Sequence, residues 1–118
     1  MAGINPSVLE WTNTQGATPL ATTALTAIKA AVANKVHCLS SAQIQNGSAT
    51  VSTVVNIVDD TATVIWSALF PAIPASLANQ PLSIEFNPPL KSSPGKALSI
   101  QCVTTAAAIY WNAQGFDV

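Results

Sequence analysis

The chain has 118 residues and a mass of 12.1 kDa, which suits a single domain with one core. Only 8% of its residues are charged, against about 25% in an average protein. Its hydrophobic content of 49% and net charge of −1 exclude a disordered chain. Four lysines without an arginine exclude the basic surface that nucleic-acid binding needs. The low charge leaves two classes, a protein buried in an assembly or one that lies in a membrane.

A membrane helix is disfavoured by proline. The charge-free segment 61–84 is long enough to span a bilayer, but prolines at 71, 74 and 81 interrupt it. Residues 97–116 are also free of charge, but they are rich in Thr, Gln and Asn. The N-terminal residues MAGINPSVLEW show neither the basic nor the apolar region of a signal peptide. We therefore expect a protein that does not enter a membrane and that is made and kept in a cytosol, or released other than by secretion.

The N-terminal third gives the weakest pattern. Residues 8–12, VLEWT, fit a short strand or an extended arm. Residues 20–28 alternate weakly and favour a strand, whereas the alanine-rich segment 27–34 suits a helical turn. Asn34 is suited to a left-handed stop after that turn. We expect residues 1–19 to form an N-terminal arm or first strand, and residues 20–118 to form one β-sandwich domain.

The middle of the chain alternates apolar and polar residues, as strands do. Three strands are predicted, over 36–45, 49–58 and 62–69, with turns at Asn46-Gly47 and Asp59-Asp60. They should form a meander of tight hairpins. The first strand is expected to place Val36, Cys38, Ala42 and Ile44 on one face. Its other face would carry His37, Ser41, Gln43 and Gln45, with Leu39 as an exception.

The C-terminal half continues the strand pattern. The proline-bounded segment 70–80 is expected to cross from one sheet to another, and 82–86 to be a strand before a loop at 87–96. Strands at 97–104 and 108–114 have a short link and should pair antiparallel. The resulting seven or eight short strands predict an all-β, antiparallel, jelly-roll-like β-sandwich.

No residue pattern predicts catalysis or a cofactor. His37 is the only histidine, and the sequence shows no group to orient it as a base, so a surface or interface role is expected. Cys38 follows it directly, and adjacent strand residues point to opposite faces. Asp59 and Asp60 have too few companions for a calcium site and fit a turn instead. We expect no metal, no cofactor and no enzymatic activity.

Two residue pairs leave alternatives open. Cys38 and Cys102 are expected to be buried thiols, with a disulfide as the alternative. Tyr110 and Trp111 are neighbours on a strand, so one ring should fill the core while the other faces a partner subunit. An exposed pair would instead suit stacking on a sugar.

Two strings carry a family resemblance. KAAVANKVHCLSSAQIQNGSATVSTVVNIVDDTATVIWSAL and the ending FNPPLKSSPGKALSIQCVTTAAAIYWNAQGFDV resemble virion proteins of tailed bacteriophages. The shared features are the order of the strands, the Asp turn, V-I-W, and the N-A-Q-G ending. The resemblance spans roughly residues 20–118, and VHCLS departs from the larger apolar residues expected there. Such proteins are small β-sandwiches that resemble capsid decoration (cement) proteins or modules of fibres.

The resemblance implies a structural virion protein that bridges capsid subunits and stabilises the phage head. Its partners would be the major capsid protein and copies of itself, with a homotrimer as the favoured assembly. It would be located on the capsid surface, after assembly in the host cytoplasm. The alternative is a receptor- or glycan-binding module of a head or tail fibre, which predicts exposed Trp111, Asn112 and Gln114. The candidate interface residues, from arm and domain together, are Ile4, Val8, Leu9, Trp11, Trp66, Tyr110 and Trp111.

Overall fold

The computed structural model describes residues 9–16, 18–74 and 81–118, and these form two packed antiparallel sheets without a helix. The all-β sandwich is therefore confirmed. The eight strands are β1 (Leu9–Thr14), β2 (Thr26–Lys29), β3 (His37–Asn46), β4 (Thr53–Asp59), β5 (Thr63–Phe70), β6 (Leu82–Lys91), β7 (Leu98–Cys102) and β8 (Ile109–Asp117). Within the described ranges, no helix is long and apolar enough to cross a membrane.

The strand order separates most sequence neighbours. Sheet A has the order β1-β8-β3-β6, and sheet B has the order β2-β7-β4-β5. Among the described strands, only β4 and β5 are consecutive partners, across the predicted Asp59-Asp60 turn, where Asp60 has a φ of 60°. Every other connection crosses between the sheets. The segment between β5 and β6 crosses as expected; its residues 75–80 lie outside the described residues.

Two predicted hairpins are wrong. β3 does not pair with β4 across Asn46-Gly47, and β7 does not pair with β8, because in each pair one strand belongs to each sheet. Asn46 explains the first case. Its buried side-chain amide donates to the carbonyl oxygens of Val51 and Phe70, and its Oδ1 accepts the Ser48 N–H. These bonds turn the chain across the core instead of back along the same sheet.

A β-bulge in β3 reverses the predicted faces of its first half. The register to both neighbouring strands shifts between Leu39 and Ser41. Because a bulge adds one residue, His37 and Leu39 before it share the inner face with Ala42 and Ile44 after it. The prediction that His37 lies on an outward polar face is therefore wrong, and the buried Leu39 is no exception.

The remaining differences concern segments next to turns and prolines. Of the strand predicted over 20–28, only the end forms a strand, β2. The segment 27–34, predicted as a helical turn, instead contains the end of β2 and a loop. In this loop Asn34 has the expected positive φ of 64°. The loop predicted from residue 87 is wrong as well. β6 runs through Pro88 and Pro89, and it is an edge strand, where missing N–H groups are tolerated.

The core lies between the two sheets and comes from the inward positions of both. β8 shows the alternation clearly, with Ile109, Trp111 and Ala113 buried and the intervening residues outward. Sheet B contributes the facing apolar side chains. The other buried core members are Ile28, Leu39, Ala42, Ile44, Val55, Ile57, Phe70, Phe86, Leu98, Ile100, Cys102 and Ala107.

Candidate functional site

A buried polar cluster lies at one end of the sandwich. His37 is fully buried, and its Nδ1 is 2.6 Å from Oδ1 of Asp117, while its Nε2 is 2.7 Å from the Ala30 carbonyl oxygen. A carbonyl oxygen only accepts, so Nε2 carries a proton. Oδ1 of Asp117 also accepts the Trp11 indole N–H at 2.9 Å. The His37 ring and the Asp117 carboxyl group therefore share one short, buried hydrogen bond, and Trp11 is bonded to the same oxygen.

The cluster contains a carboxyl group that orients a histidine, as catalytic triads do, but within the described residues it lacks a nucleophile at the other ring nitrogen. A carboxylate bonded to one ring nitrogen is what positions a histidine base. Here, however, the other ring nitrogen is bonded to Ala30, and Ser92 Oγ accepts the backbone N–H of His37 instead of facing the ring. The arrangement therefore ties β3, β8 and the segment before β3 together. Sequence reasoning missed Asp117 as the partner because it lies 80 residues from His37.

Trp11 closes this end of sheet A by lying over a glycine. It is opposite Gly115 in the register of β1 and β8. A Cβ placed on Gly115 would come within 2.6 Å of the Trp11 ring and 2.1 Å of the Cys38 carbonyl oxygen. The ring and the neighbouring strand therefore leave space only for glycine. The glycine of the N-A-Q-G ending thus has a packing role that fixes the first strand to the last.

The outer face of sheet A carries amide and hydroxyl groups. Gln43 and Gln114 exchange side-chain hydrogen bonds of 3.2 and 3.0 Å, and Ser41 donates to Gln114 Oε1 at 2.7 Å. Beside this network is an open cleft of about 480 Å³. Its lining residues, all uncharged, are Thr14, Gln15, Gln43, Gln45, Pro81, Tyr110, Trp111 and Asn112.

The outer face of sheet B is apolar near the C-terminal end of β5. We define the sheet B face as two rows of side chains that cross β5, β4 and either β7 or the residue that follows it. The first row is Leu69, Val54 and Val103, and the second is Ser67, Asn56 and Gln101. Leu69 is 66% exposed and Val103 is 46% exposed, although both are large and hydrophobic. Val64, further along β5, is 50% exposed. None of these side chains carries a charge.

The candidate interface residues on the first strand divide between surface and core. Ile4 and Val8 lie outside the described residues. Leu9 is exposed at the start of β1, an edge strand of sheet A. Trp11 is half-buried and packs against the core, with its indole N–H bonded to Asp117.

The later aromatic candidates differ in exposure. Trp66 is half-buried and makes an edge-to-face contact with Phe86, with the ring centroids 5.8 Å apart. Tyr110 is 45% exposed on the outer face of sheet A. Trp111 requires a correction: it points inward and is 4% exposed, so its ring fills the core and is not available to a partner or a sugar. In the described part of the chain, its indole N–H has no hydrogen-bond acceptor.

The two cysteines are free and buried in different sheets, Cys38 in β3 and Cys102 in β7. Burial raises the pKa of both thiols above the ordinary value. For Cys38, nearby Lys91 partly offsets this rise, and for Cys102 a backbone hydrogen bond at Thr104 does so. Among the described residues, no group of three His, Cys, Asp or Glu side chains could hold a metal ion.

Asp59 is bonded within the fold. Its two carboxylate oxygens accept the backbone N–H of Ser93 at 2.8 Å and the Ser93 hydroxyl at 2.6 Å. The predicted turn therefore also ties β4 to the segment that follows β6.

Comparison of the chain with protein-family models, with curated proteins and with solved structures found no match.

Proposed function

We propose that this chain is a structural virion protein, a capsid decoration protein that stabilises a phage head by bridging capsid subunits. The observation that carries the proposal is the uncharged sheet B face, which exposes Leu69 and Val103 in one row on either side of Val54. Neighbouring exposed apolar side chains on a small domain favour an interface, and the centres of interfaces are depleted in charge.

The sheet B face is suited to an interface energetically. Each of Leu69, Val64 and Val103 has about half or more of its surface in water. Covering one such side chain stabilises a contact by about 1 kcal/mol, at about 25 cal/mol per Å² of apolar surface. No charged group on these rows would have to lose its water, so the gain is not offset by the desolvation of ions.

The strand order supports the same class. The two sheets, ordered β1-β8-β3-β6 and β2-β7-β4-β5, fit two interleaved Greek keys, the jelly-roll arrangement that recurs in viral capsid and lectin domains. Together with the phage-like sequence motifs, this supports a virion location at the capsid surface, with the major capsid protein and further copies of the chain as partners. A homotrimer is the proposed assembly.

The first strand suits the proposed arm. β1 is held to β8 along its length, and the Trp11–Asp117 hydrogen bond anchors it. In the proposal, the arm contacts a neighbouring subunit through Leu9 and the rest of its exposed edge; Ile4 and Val8 lie outside the described residues.

The test is a decoration assay with a matched pair of variants. Purified protein is mixed with expanded capsids that lack it, and bound copies are counted by electron microscopy. Leu69→Lys places a charge on the sheet B face and should reduce occupancy at least tenfold. Ser83→Lys places the same charge on an exposed position of β6 in sheet A, away from the sheet B face and the arm, and serves as the control.

The oligomeric state gives a second readout. Light scattering should show a mass near three times 12.1 kDa for the wild type and a smaller assembly for Leu69→Lys. Both variants should keep the wild-type unfolding midpoint. A wild-type protein that does not bind the capsids, or a Leu69→Lys variant that decorates them fully, would overturn the proposal.

A further inference from the structure

The cleft on the outer face of sheet A leads to a second, independent proposal. We propose that it binds a neutral saccharide, with Tyr110 as the stacking platform and the amides of Gln45 and Asn112 as the hydrogen-bonding groups. This site lies on the sheet opposite the sheet B face. The inference therefore does not depend on the decoration role.

The aromatic ring has a defined position. Tyr110 is an outward-facing residue of β8. Its ring packs on Gly47, in the segment that crosses to the other sheet after β3. A Cβ on Gly47 would lie 2.8 Å from Cε2 of Tyr110, so the glycine allows the ring to lie close to the backbone. The ring nevertheless remains 45% exposed. An aromatic ring supported from the protein side is suited to packing against the C–H face of a pyranose.

The polar groups around the ring have hydrogen-bonding capacity left. Gln45 is directly opposite Tyr110, and Gln43 is opposite Asn112 on the next outward row. Within the described ranges, neither the Gln45 nor the Asn112 side chain makes a hydrogen bond, and the same is true of the Tyr110 hydroxyl. Strand geometry places the Cα atoms of Gln45 and Asn112 about 5–7 Å from that of Tyr110, so their side chains project from the same face as the ring.

The rest of the cleft is preorganised. Gln43 is held by its reciprocal bonds to Gln114. Gln15 is held by the backbone of Trp111, since its N–H donates to the Trp111 carbonyl and its Oε1 accepts the Trp111 N–H. Side chains that are already fixed lose little conformational freedom when a ligand binds.

The charge of the cleft selects the class of sugar. None of its lining residues is charged, so a sialylated, sulfated or uronic acid ligand would find no cation to pair with. Amides act as both donors and acceptors, which matches the hydroxyl groups of a neutral saccharide. The ligand class is therefore neutral and not acidic.

The test uses three neutral hexasaccharides, of β-1,4-linked glucose, α-1,4-linked glucose and β-1,4-linked N-acetylglucosamine, with polygalacturonate as the acidic comparison. Binding to the full chain is followed by NMR shifts of the side-chain amides. At least one neutral sugar should shift the Gln45 and Asn112 signals saturably, and polygalacturonate should not. Absence of saturable shifts with all three neutral sugars, or stronger binding of polygalacturonate, would overturn the inference.

Variants separate stacking from other effects. Tyr110→Ala should weaken binding about tenfold or more, whereas Tyr110→Phe, which keeps the ring, should stay within about threefold of wild type. Gly47→Ala should also weaken binding, because the added methyl group displaces the Tyr110 ring although the tyrosine itself is not substituted. Leu69→Lys, on the other sheet, should bind sugar normally, so failure of the decoration role and failure of the saccharide site are distinguishable. Unchanged binding by Tyr110→Ala would contradict the site.

Discussion

Replacing Asp117 with alanine should strongly destabilise the fold, because two donors depend on one carboxylate oxygen. Oδ1 of Asp117 accepts from Trp11 Nε1 at 2.9 Å and lies 2.6 Å from His37 Nδ1. Alanine would leave both donors without a partner next to a fully buried imidazole. An unsatisfied buried polar group costs about 1–3 kcal/mol, and alanine would leave two of them. We expect a loss of about 3–5 kcal/mol in the free energy of unfolding.

Asparagine at the same position tests the charge separately. Its side-chain oxygen can still accept from Trp11, but an amide oxygen cannot hold the proton of the His37–Asp117 hydrogen bond as a carboxyl group can. A neutral His37 with a proton on Nδ1 would turn the lone pair of Nε2 toward the Ala30 carbonyl oxygen, which also only accepts. Asp117→Asn should therefore also destabilise the fold, by about 2–3 kcal/mol, less than Asp117→Ala.

The assay is equilibrium unfolding in urea. With a slope of about 1.5 kcal/mol per M, a loss of 4 kcal/mol would lower the midpoint by roughly 2–3 M. Glu85→Ala removes a carboxylate from an exposed position of β6 and should change stability by less than about 0.5 kcal/mol. A loss below about 1 kcal/mol for Asp117→Ala, with an unchanged slope, would refute the assignment of a stabilising buried pair.

Two further predictions concern packing and thiol chemistry. Gly115→Ala should lower the free energy of unfolding by about 3 kcal/mol or more, because the added methyl displaces the Trp11 ring. Quenching of Trp11 fluorescence by iodide should increase for the same reason. Wild-type stability in this variant would contradict the close packing. Cys38 and Cys102 should react slowly with a thiol reagent in the native protein and fully in denaturant, whereas no reaction in denaturant would reveal a disulfide. Because burial raises both thiol pKa values, the folded state holds more protons, and their contribution to stability should fall as pH rises past the ordinary thiol pKa.

The predictions that succeeded depend on neighbouring residues. Alternation along β4, β5 and β8 showed strands, and the Asp59-Asp60 turn joins β4 to β5 as expected. The positive φ of Asn34 also follows from local preference. Such features are set within a few residues, so the sequence pattern contains them.

The predictions that failed depend on residues far apart in the chain. Asn46-Gly47 is a strong hairpin signal, but the buried amide of Asn46 is bonded to the ends of other strands, and the chain changes sheet. The prediction that His37 points outward failed because one bulge residue exchanges the two faces of β3. Nothing in VHCLSS marks where a bulge will occur. The two outer faces were likewise hidden, because they exist only once strands are paired.

By itself, the sequence determined the class of the fold and the scarcity of charge in the chain. Alternating apolar positions require one buried face per strand, and prolines interrupt the longest charge-free segment, which forms no helix in the part of the chain that the structure describes. Only the tertiary structure decided which strands are neighbours and that His37 is buried against Asp117. It also decided that Leu69 and Val103 lie on either side of Val54, and that Tyr110 lies opposite Gln45. The reason is physical: alternation specifies the inward side of each strand locally, whereas pairing between strands is selected by the packing of the whole core.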